Sequence, residues 1–209
     1  MMMGALLKRV TMFMIKIAIL PLPSINGLHA DNYYVEILNI NQEARPMARR
    51  VFFSFHYDND ITRSMTVRNS WVTQGKEAAG FIDKAAFEQV KRQGDSAVHN
   101  WIDKQLEGTS VTVVLIGSET LNRPYVQYEI CKSLQRGNAV IGVLIHNLRD
   151  MRTGWCSARG NPHAIIGRYN DGTPAYFDAI CDGIYDYTLQ NGYQNMGTWI
   201  ENAAKAHGK

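Results

Sequence analysis

Two long apolar runs dominate the chain, and neither alternates with polar residues. Residues 110–118 read SVTVVLIGS and residues 139–147 read AVIGVLIHN, so both faces of each run are apolar. Runs of this kind, rich in β-branched residues, are typical of parallel strands that helices cover on both sides. A shorter run at residues 49–55, RRVFFSF, has the same character. The pattern therefore predicts three buried strands, with residues 110–118 as the central one.

Between the first and the central strand, the apolar residues recur mostly at the spacing of a helix. Residues 56–64, HYDNDITRS, are polar and predict a loop. The apolar residues of the next stretch recur at the spacing of one helix face: Val67, Trp71 and Val72. A short strand is predicted at residues 78–83, AAGFID, and residues 84–108 continue as a helix that Gly94 is expected to interrupt.

Two further helices follow the central strand. The first is predicted to begin at Asn122, which we expect to cap it, with Pro124 in its first turn, and to end near Arg136. The second covers residues 192–206 at the end of the chain. Its inward-facing residues are expected to be Met196, Trp199 and Ile200.

The alternation of strands and helices determines the predicted fold class. It indicates an α/β protein with a doubly wound, mostly parallel sheet and helices on both faces. Residues 148–185 break this pattern, because they are rich in Gly, Pro, Asn and Arg or mix aromatic and acidic residues. They predict a long irregular segment. Neither GxGxxG nor GxxxxGK[ST] is present, so the sequence does not support a Rossmann dinucleotide turn or a P-loop.

The first 46 residues are predicted to lie outside this fold. They contain an apolar run that resembles a weak signal peptide, but Lys16 and two prolines interrupt it, which argues against stable membrane insertion. A second interpretation is an over-extended gene start, because Met47 directly precedes the first predicted strand. On either interpretation, residues 47–209 are predicted to form one domain.

Composition narrows the function classes. The net charge is only +3 and the basic residues are scattered, so no nucleic-acid surface is indicated. The three cysteines form neither a CxxC nor a Cys/His cluster, which argues against a disulfide scaffold and a metal site. Such sparse cysteines indicate a reducing compartment, and we expect a cytoplasmic protein.

Candidate site residues follow the predicted strands. In open α/β sheets, ligands bind outside the carboxyl ends of the strands. The first strand ends at Ser54, Phe55 and His56, the second at Asp83, and the central strand is followed by Ser118. We therefore expect the ligand site at this edge of the sheet.

Glu129 lies in the helix after the central strand, and its position is unusual for a carboxylate. On a helical wheel it falls at the border of the buried face, near Tyr125 and Ser133, so partial removal from water is one prediction. The alternative is a surface residue in an i,i+3 contact with Lys132. The buried face itself consists of Val126, Ile130 and Leu134.

Several motifs together resemble one protein family. The stretches RRVFFSFHYDND, VRNSWVT, AAGFID, LEGTSVTVVLIGSETLNRPYVQYEICKSLQRGN and GYQNMGTWIE are similar to the TIR-like proteins of the Thoeris anti-phage defence system. The resemblance covers residues 48–202 and is strongest over 109–138. It implies a flavodoxin-like, TIR-like fold.

The resemblance also implies an activity. TIR-type enzymes carry a glutamate in a Trp-x-x-x-Glu pattern, which Tyr125 and Glu129 match with tyrosine in place of tryptophan. Glu129 is thereby implied to be catalytic in cleaving the nicotinamide–ribose bond of NAD⁺, with NAD⁺ as substrate and no other cofactor. The implied product is a cyclic ADP-ribose-type signal that activates a partner effector resembling ThsA.

The same resemblance suggests residues that bind NAD⁺. Phe55 and His56 match the family's first motif and are candidates for stacking on, or hydrogen-bonding to, the nicotinamide riboside. Arg123 is a candidate for the pyrophosphate. The remaining candidates for substrate contact are Ser54, Ser118, Asn122 and Tyr125.

Two other classes of function stay open at this point. A nucleoside deoxyribosyltransferase-like enzyme has a similar sheet and uses a glutamate on the sugar carbon. A non-enzymatic TIR-like scaffold would act by self-association. A phospho-receiver, with Asp58, Asp60, Asp83 and Ser118 as its polar set, is disfavoured because no lysine follows the last predicted strand.

Overall fold

The computed structural model describes residues 49–73, 78–79 and 84–209. The predicted extension at residues 1–46 lies outside the described residues, as do Asp83 and most of the strand predicted at 78–83. Those predictions stay predictions. None of the helices in the described ranges combines the length and the apolar character that crossing a membrane requires.

The described elements alternate along the chain. In order they are β1 (Val51–Phe55), α1 (Tyr57–Thr73), β2 (Ala78–Ala79), α2 (Lys84–Lys91), α3 (Asp95–Gln105), β3 (Val111–Ile116), a 3-10 turn (Thr120–Asn122), α4 (Pro124–Gln135), β4 (Ala139–Leu144), β5 (Ile165–Arg168), β6 (Pro174–Tyr176), α5 (Phe177–Ile180), β7 (Gly183–Asp186) and α6 (Gly192–Ala206). Three predicted strands and the break at Gly94, which has a φ of 95°, are confirmed.

Five of the strands form one parallel sheet in the spatial order β2-β1-β3-β4-β7. Counted along the sheet, this is the 2-1-3-4-5 order of flavodoxin-like folds. Every residue of β3 and β4 is buried. The predicted α/β class and the central place of β3 are confirmed.

Helices cover both faces of the sheet, as predicted. On one face, α1 and α6 pack on alternate residues of β1, β3 and β4. The predicted inward residues of α6 all belong to this cluster. On the other face, α4 and α5 pack on Val114, Ile116 and Val140, while α3 packs on Phe52. The alternation follows from the strand period of two residues.

The loop predicted at residues 56–64 is wrong from Tyr57 onward, because residues 57–64 form the first half of α1. Asp58 and Asp60 lie in the first helical turn, where acidic side chains interact favourably with the helix dipole. The buried face of this half carries polar residues, including Asp60 and Arg63, so it shows no apolar stripe. Val72 was predicted to lie on the apolar face with Val67 and Trp71, but 42% of it is exposed.

The irregular segment predicted at residues 148–185 is wrong in part. It contains the antiparallel pair β5–β6, the short helix α5, and β7, which pairs with β4 as an edge strand of the main sheet. These elements are only three or four residues long. An edge strand that is only partly buried has no two-sided apolar run, so the pattern that identified β3 and β4 is missing here.

Close backbone packing at the end of β3 leads to a stability prediction. A Cβ added at Gly160 would lie 2.1 Å from the carbonyl oxygen of Gly117 and 2.8 Å from Ile116 Cγ2. The backbone of Gly117 cannot move aside without disturbing the sheet. Gly160→Ala is therefore expected to lower the free energy of unfolding by about 1–3 kcal/mol, measured by urea denaturation. Gly167→Ala is the matched control, because its Cβ would meet only Cys131 Sγ, at 3.8 Å. If the two variants unfolded at the same urea concentration, the close packing of Gly160 on Gly117 would be contradicted.

Candidate active site

A cavity opens where the strand order reverses between β1 and β3, which is the usual ligand position in such sheets. Its volume is about 230 Å³. The end of β1, the first turn of α1, α2 and the first half of α4 form its walls. Phe55, His56, Arg123, Tyr125 and Glu129, all candidates from the sequence, line this one cavity.

Glu129 lies on the second turn of α4 and points to β1. Its Oε2 accepts a hydrogen bond from Ser54 Oγ at 2.5 Å, and Ser54 itself is buried. Ser133 Oγ donates to the Glu129 carbonyl oxygen at 2.7 Å. The alternative of a surface contact with Lys132 is wrong, because Lys132 Nζ lies 3.9 Å from Asp103 Oδ2 instead.

Apolar packing on both sides explains why this carboxylate is poorly hydrated. Val126 and Ile130 of the same helix belong to the cluster beneath β3 and β4, whereas Tyr125 and Tyr128 pack against the cluster around Phe52. Glu129 lies between the two groups and keeps partial exposure, while lining the cavity.

Burial of the carboxylate has an electrostatic consequence. It raises the pKa of Glu129 to about 8, and the hydrogen bond from Ser54 acts in the opposite direction, because it stabilises the ionised form. A raised pKa caused by desolvation in a cleft is typical of functional carboxylates.

His56 follows β1 directly and is 9% exposed. Within the described ranges, its buried Nδ1 has no hydrogen-bond partner, which is uncommon for a polar atom. Burial lowers the pKa of His56, the Arg123 charge lowers it further, and the acidic groups of Asp58, Asp60 and Glu119 oppose this shift. The neutral imidazole is therefore favoured at the cavity wall.

Arg123 and Tyr125 begin α4 and are held by partners outside the cavity. Arg123 pairs with Glu119, and both side chains are about half exposed. The Tyr125 hydroxyl donates to Asp95 Oδ1 at 2.7 Å, which fixes the ring at the cavity wall. Pro124 occupies the first turn as predicted.

Ser118 and Asn122 lie elsewhere. They line a second cavity, with Glu119 and Asn161, and are not among the residues around Glu129. Asn122 does not cap α4, because it ends the 3-10 turn and Arg123 takes the N-cap position without a side-chain cap. The cap prediction is wrong because the 3-10 turn moves the N-cap one residue further along the chain, from Asn122 to Arg123.

The structure also adds cavity residues that sequence reasoning missed. Phe87 and Lys91 of α2 line the cavity, and so does Asp58, which the sequence placed only in the receiver alternative. The phospho-receiver alternative is further weakened, because Asp60 is fully buried and its Oδ1 accepts a hydrogen bond from Arg63 Nη1 at 3.0 Å. No pattern in α2 marks it as a cavity wall.

The raised pKa predicts that Glu129 costs stability. Because the folded-state pKa lies above the unfolded value, the unfolded chain loses its proton first, and the free energy of unfolding falls as pH rises from about 4.5 to 8. Glu129→Gln is therefore expected to be more stable than the parent at pH 8. The gain should grow by up to about 1.4 kcal/mol per pH unit over this window.

Urea denaturation of both proteins at pH 5, 6.5 and 8 measures this gain. The control is Glu107→Gln, which removes an exposed carboxylate from the opposite end of β1, where Arg50 Nη1 bonds the Glu107 carbonyl. A gain from Glu129→Gln that is the same at all three pH values would contradict the burial argument.

Comparisons with known proteins identify the family. A family model described as "Thoeris protein ThsB, TIR-like domain" matches residues 52–150. A protein of Bacillus cereus strain MSX-D12, named "Putative cyclic ADP-D-ribose synthase ThsB1", is 34% identical over an alignment of 191 positions. The match covers 74% of this chain and 100% of that protein. The matched region includes the whole cavity and Glu129. The chain therefore belongs to the TIR-like ThsB family of Thoeris proteins.

Proposed function

We propose that this protein cleaves the nicotinamide–ribose bond of NAD⁺ and releases a cyclic ADP-ribose-type nucleotide as a signal in anti-phage defence. The proposal rests on the Glu129 carboxylate, which lines the cavity at the end of β1. Its Oε2 accepts a hydrogen bond from Ser54 Oγ at 2.5 Å. The name of the Bacillus relative, which refers to cyclic ADP-D-ribose synthesis, supports it.

A single carboxylate suffices for this bond. Glycosidases need a second one to protonate a poor leaving group. Nicotinamide is cationic in NAD⁺ and leaves as a neutral molecule, so no proton donor is needed. Positive charge then develops on the ribose, and the anion of Glu129 is placed to stabilise it where water is scarce.

The fate of the ribose cation decides the product. A nucleophile of the same molecule, such as an adenine nitrogen or a ribose hydroxyl, gives a cyclic nucleotide, whereas water gives linear ADP-ribose. The aromatic walls of the cavity, which include Phe55 and Tyr125, favour the first outcome by limiting the access of water.

The remaining elements of the proposal concern the cell. The product would activate a downstream effector of the ThsA type, and the domain would act in the cytoplasm, where its three free cysteines stay reduced. We also propose that the domain associates with further copies of itself.

The test is incubation of the full-length protein with NAD⁺, followed by chromatography of nicotinamide, linear ADP-ribose and cyclic species. A parallel arm adds extract from phage-challenged cells, because infection is the implied trigger. We expect nicotinamide and a cyclic product in at least one arm. A separate incubation offers a deoxynucleoside, and its cleavage without consumption of NAD⁺ in the other arms would favour a deoxyribosyltransferase. No nicotinamide in either NAD⁺ arm and no cleaved deoxynucleoside would favour a scaffold.

A further inference from the structure

A large aromatic side chain stands in solvent in the loop that follows β4. Trp155 is 76% exposed, and its neighbour in the same loop, Met151, is 80% exposed. Trp71 and Trp199 are buried in the core. Both residues belong to one exposed loop, and the flat face of the indole is left in solvent.

The loop that carries Trp155 is firmly held, so its exposure is built into the fold. The Trp155 carbonyl oxygen accepts hydrogen bonds from Arg63 Nη2 at 3.1 Å and from the Asp150 backbone N–H at 2.9 Å. Arg63 Nε also donates to the Leu148 carbonyl at 2.9 Å. Arg63 and Asp150 are buried, with exposures of 5% and 3%. The backbone of the loop therefore has a defined position.

The same contacts attach the loop to the wall of the cavity. Arg63 Nη1 donates to the Asn59 carbonyl at 3.1 Å, so one guanidinium joins Trp155 to the first turn of α1. Arg152 Nη2 lies 3.4 Å from the carbonyl oxygen of Asp58, which lines the cavity. The loop that carries Trp155 is thus tied through its backbone and through Arg152 to the first turn of α1, whose Asp58 lines the cavity that contains Glu129.

We propose that Trp155 stacks on the adenine ring of the dinucleotide whose nicotinamide riboside occupies the cavity, an inference that rests on the proposed function. Glu129 fixes the reacting ribose inside, so the adenosine half, joined through the pyrophosphate, extends from the open side. An indole offers a flat π face of the kind that binds nucleobases in other proteins. Trp155 lies beyond residues 52–150, which the family model matches.

Stacking makes adenine a determinant of substrate choice. Trp155→Ala is expected to lower kcat/KM for NAD⁺ at least about fivefold, whereas kcat/KM for nicotinamide mononucleotide, which has no adenosine, stays unchanged. Trp155→Phe keeps a ring and should retain most of the activity on NAD⁺. Leu189→Ala, at another exposed apolar residue, is the matched control. Equal losses on both substrates, or no loss on NAD⁺, would overturn the proposal.

A binding measurement tests the same contact without turnover. ADP-ribose is expected to quench tryptophan fluorescence, ribose 5-phosphate is not, and the quench disappears in Trp155→Phe. Trp155→Ala should weaken ADP-ribose binding at least about fivefold. Unchanged affinity, or a change in sedimentation alone, would overturn the proposal and point to self-association through this surface. A protein that binds ADP-ribose in this way but releases no nicotinamide would refute the proposed function and not this contact.

Discussion

Replacing Glu129 with glutamine is expected to lower the rate of nicotinamide release from NAD⁺ by about 100- to 1,000-fold. Glutamine has nearly the same shape and can still accept the hydrogen bond from Ser54, so the cavity should persist. Only the negative charge is lost. Because the sugar becomes positive as nicotinamide leaves, that charge acts mainly in the transition state, and the loss should appear in kcat as well as in kcat/KM.

Two controls separate this effect from a loss of structure. Circular dichroism should show a folded Glu129→Gln protein, with the higher stability at pH 8 that burial of the carboxylate implies. Glu107→Gln, which removes a remote exposed carboxylate, should release nicotinamide at the parental rate. A folded Glu129→Gln protein with near-parental activity would assign the chemistry to another group.

The rate of NAD⁺ cleavage is expected to rise steeply with pH. In the proposed mechanism the active form of Glu129 is the carboxylate. Burial raises the pKa of Glu129 to about 8, so most molecules are protonated at pH 6. Values of kcat/KM, which report the free enzyme, should increase about tenfold per pH unit up to about pH 8 and level off above pH 9. Initial rates at low NAD⁺ concentration between pH 5.5 and 9.5 measure this profile.

Ser54→Ala should move the profile to higher pH. The Ser54 hydroxyl stabilises the ionised form of Glu129, so its removal raises the pKa further. At pH 7 the variant should therefore be slower, and the difference from the parent should narrow as the pH rises. A profile that stays flat between pH 6 and 8 in the parent, or that does not move in Ser54→Ala, would contradict this assignment.

The fold was predictable where burial is complete. In β3 and β4 every residue is buried, so both runs are uniformly apolar and their identity as central strands is readable. The inward face of α6 could be predicted for a related reason. Only one side of this helix packs on the sheet, so its apolar residues recur at helical spacing. Where burial is partial or polar, as in the first half of α1 and in β7, the pattern is absent and the predictions failed.

The site was predictable only in part. The border position of Glu129 follows from helix geometry, and the resemblance to the ThsB family indicated its importance. Its hydrogen bond to Ser54 joins residues 75 positions apart, and no local pattern records such a pair. Lys91 lines the cavity because Phe87 of the same helix packs edge-on against Tyr125 of α4, whereas Ser118 lines the second cavity. Both positions depend on tertiary packing.

Titration of the Glu129 side chain tests the central claim most directly. The carboxyl carbons of glutamate can be labelled with ¹³C, and the Glu129 signal assigned by its absence in Glu129→Gln. If the carboxylate is desolvated within the cavity, the signal should titrate near pH 8, together with kcat/KM for NAD⁺. A Glu129 carboxyl that titrates near 4.5, apart from the rate, would contradict the account.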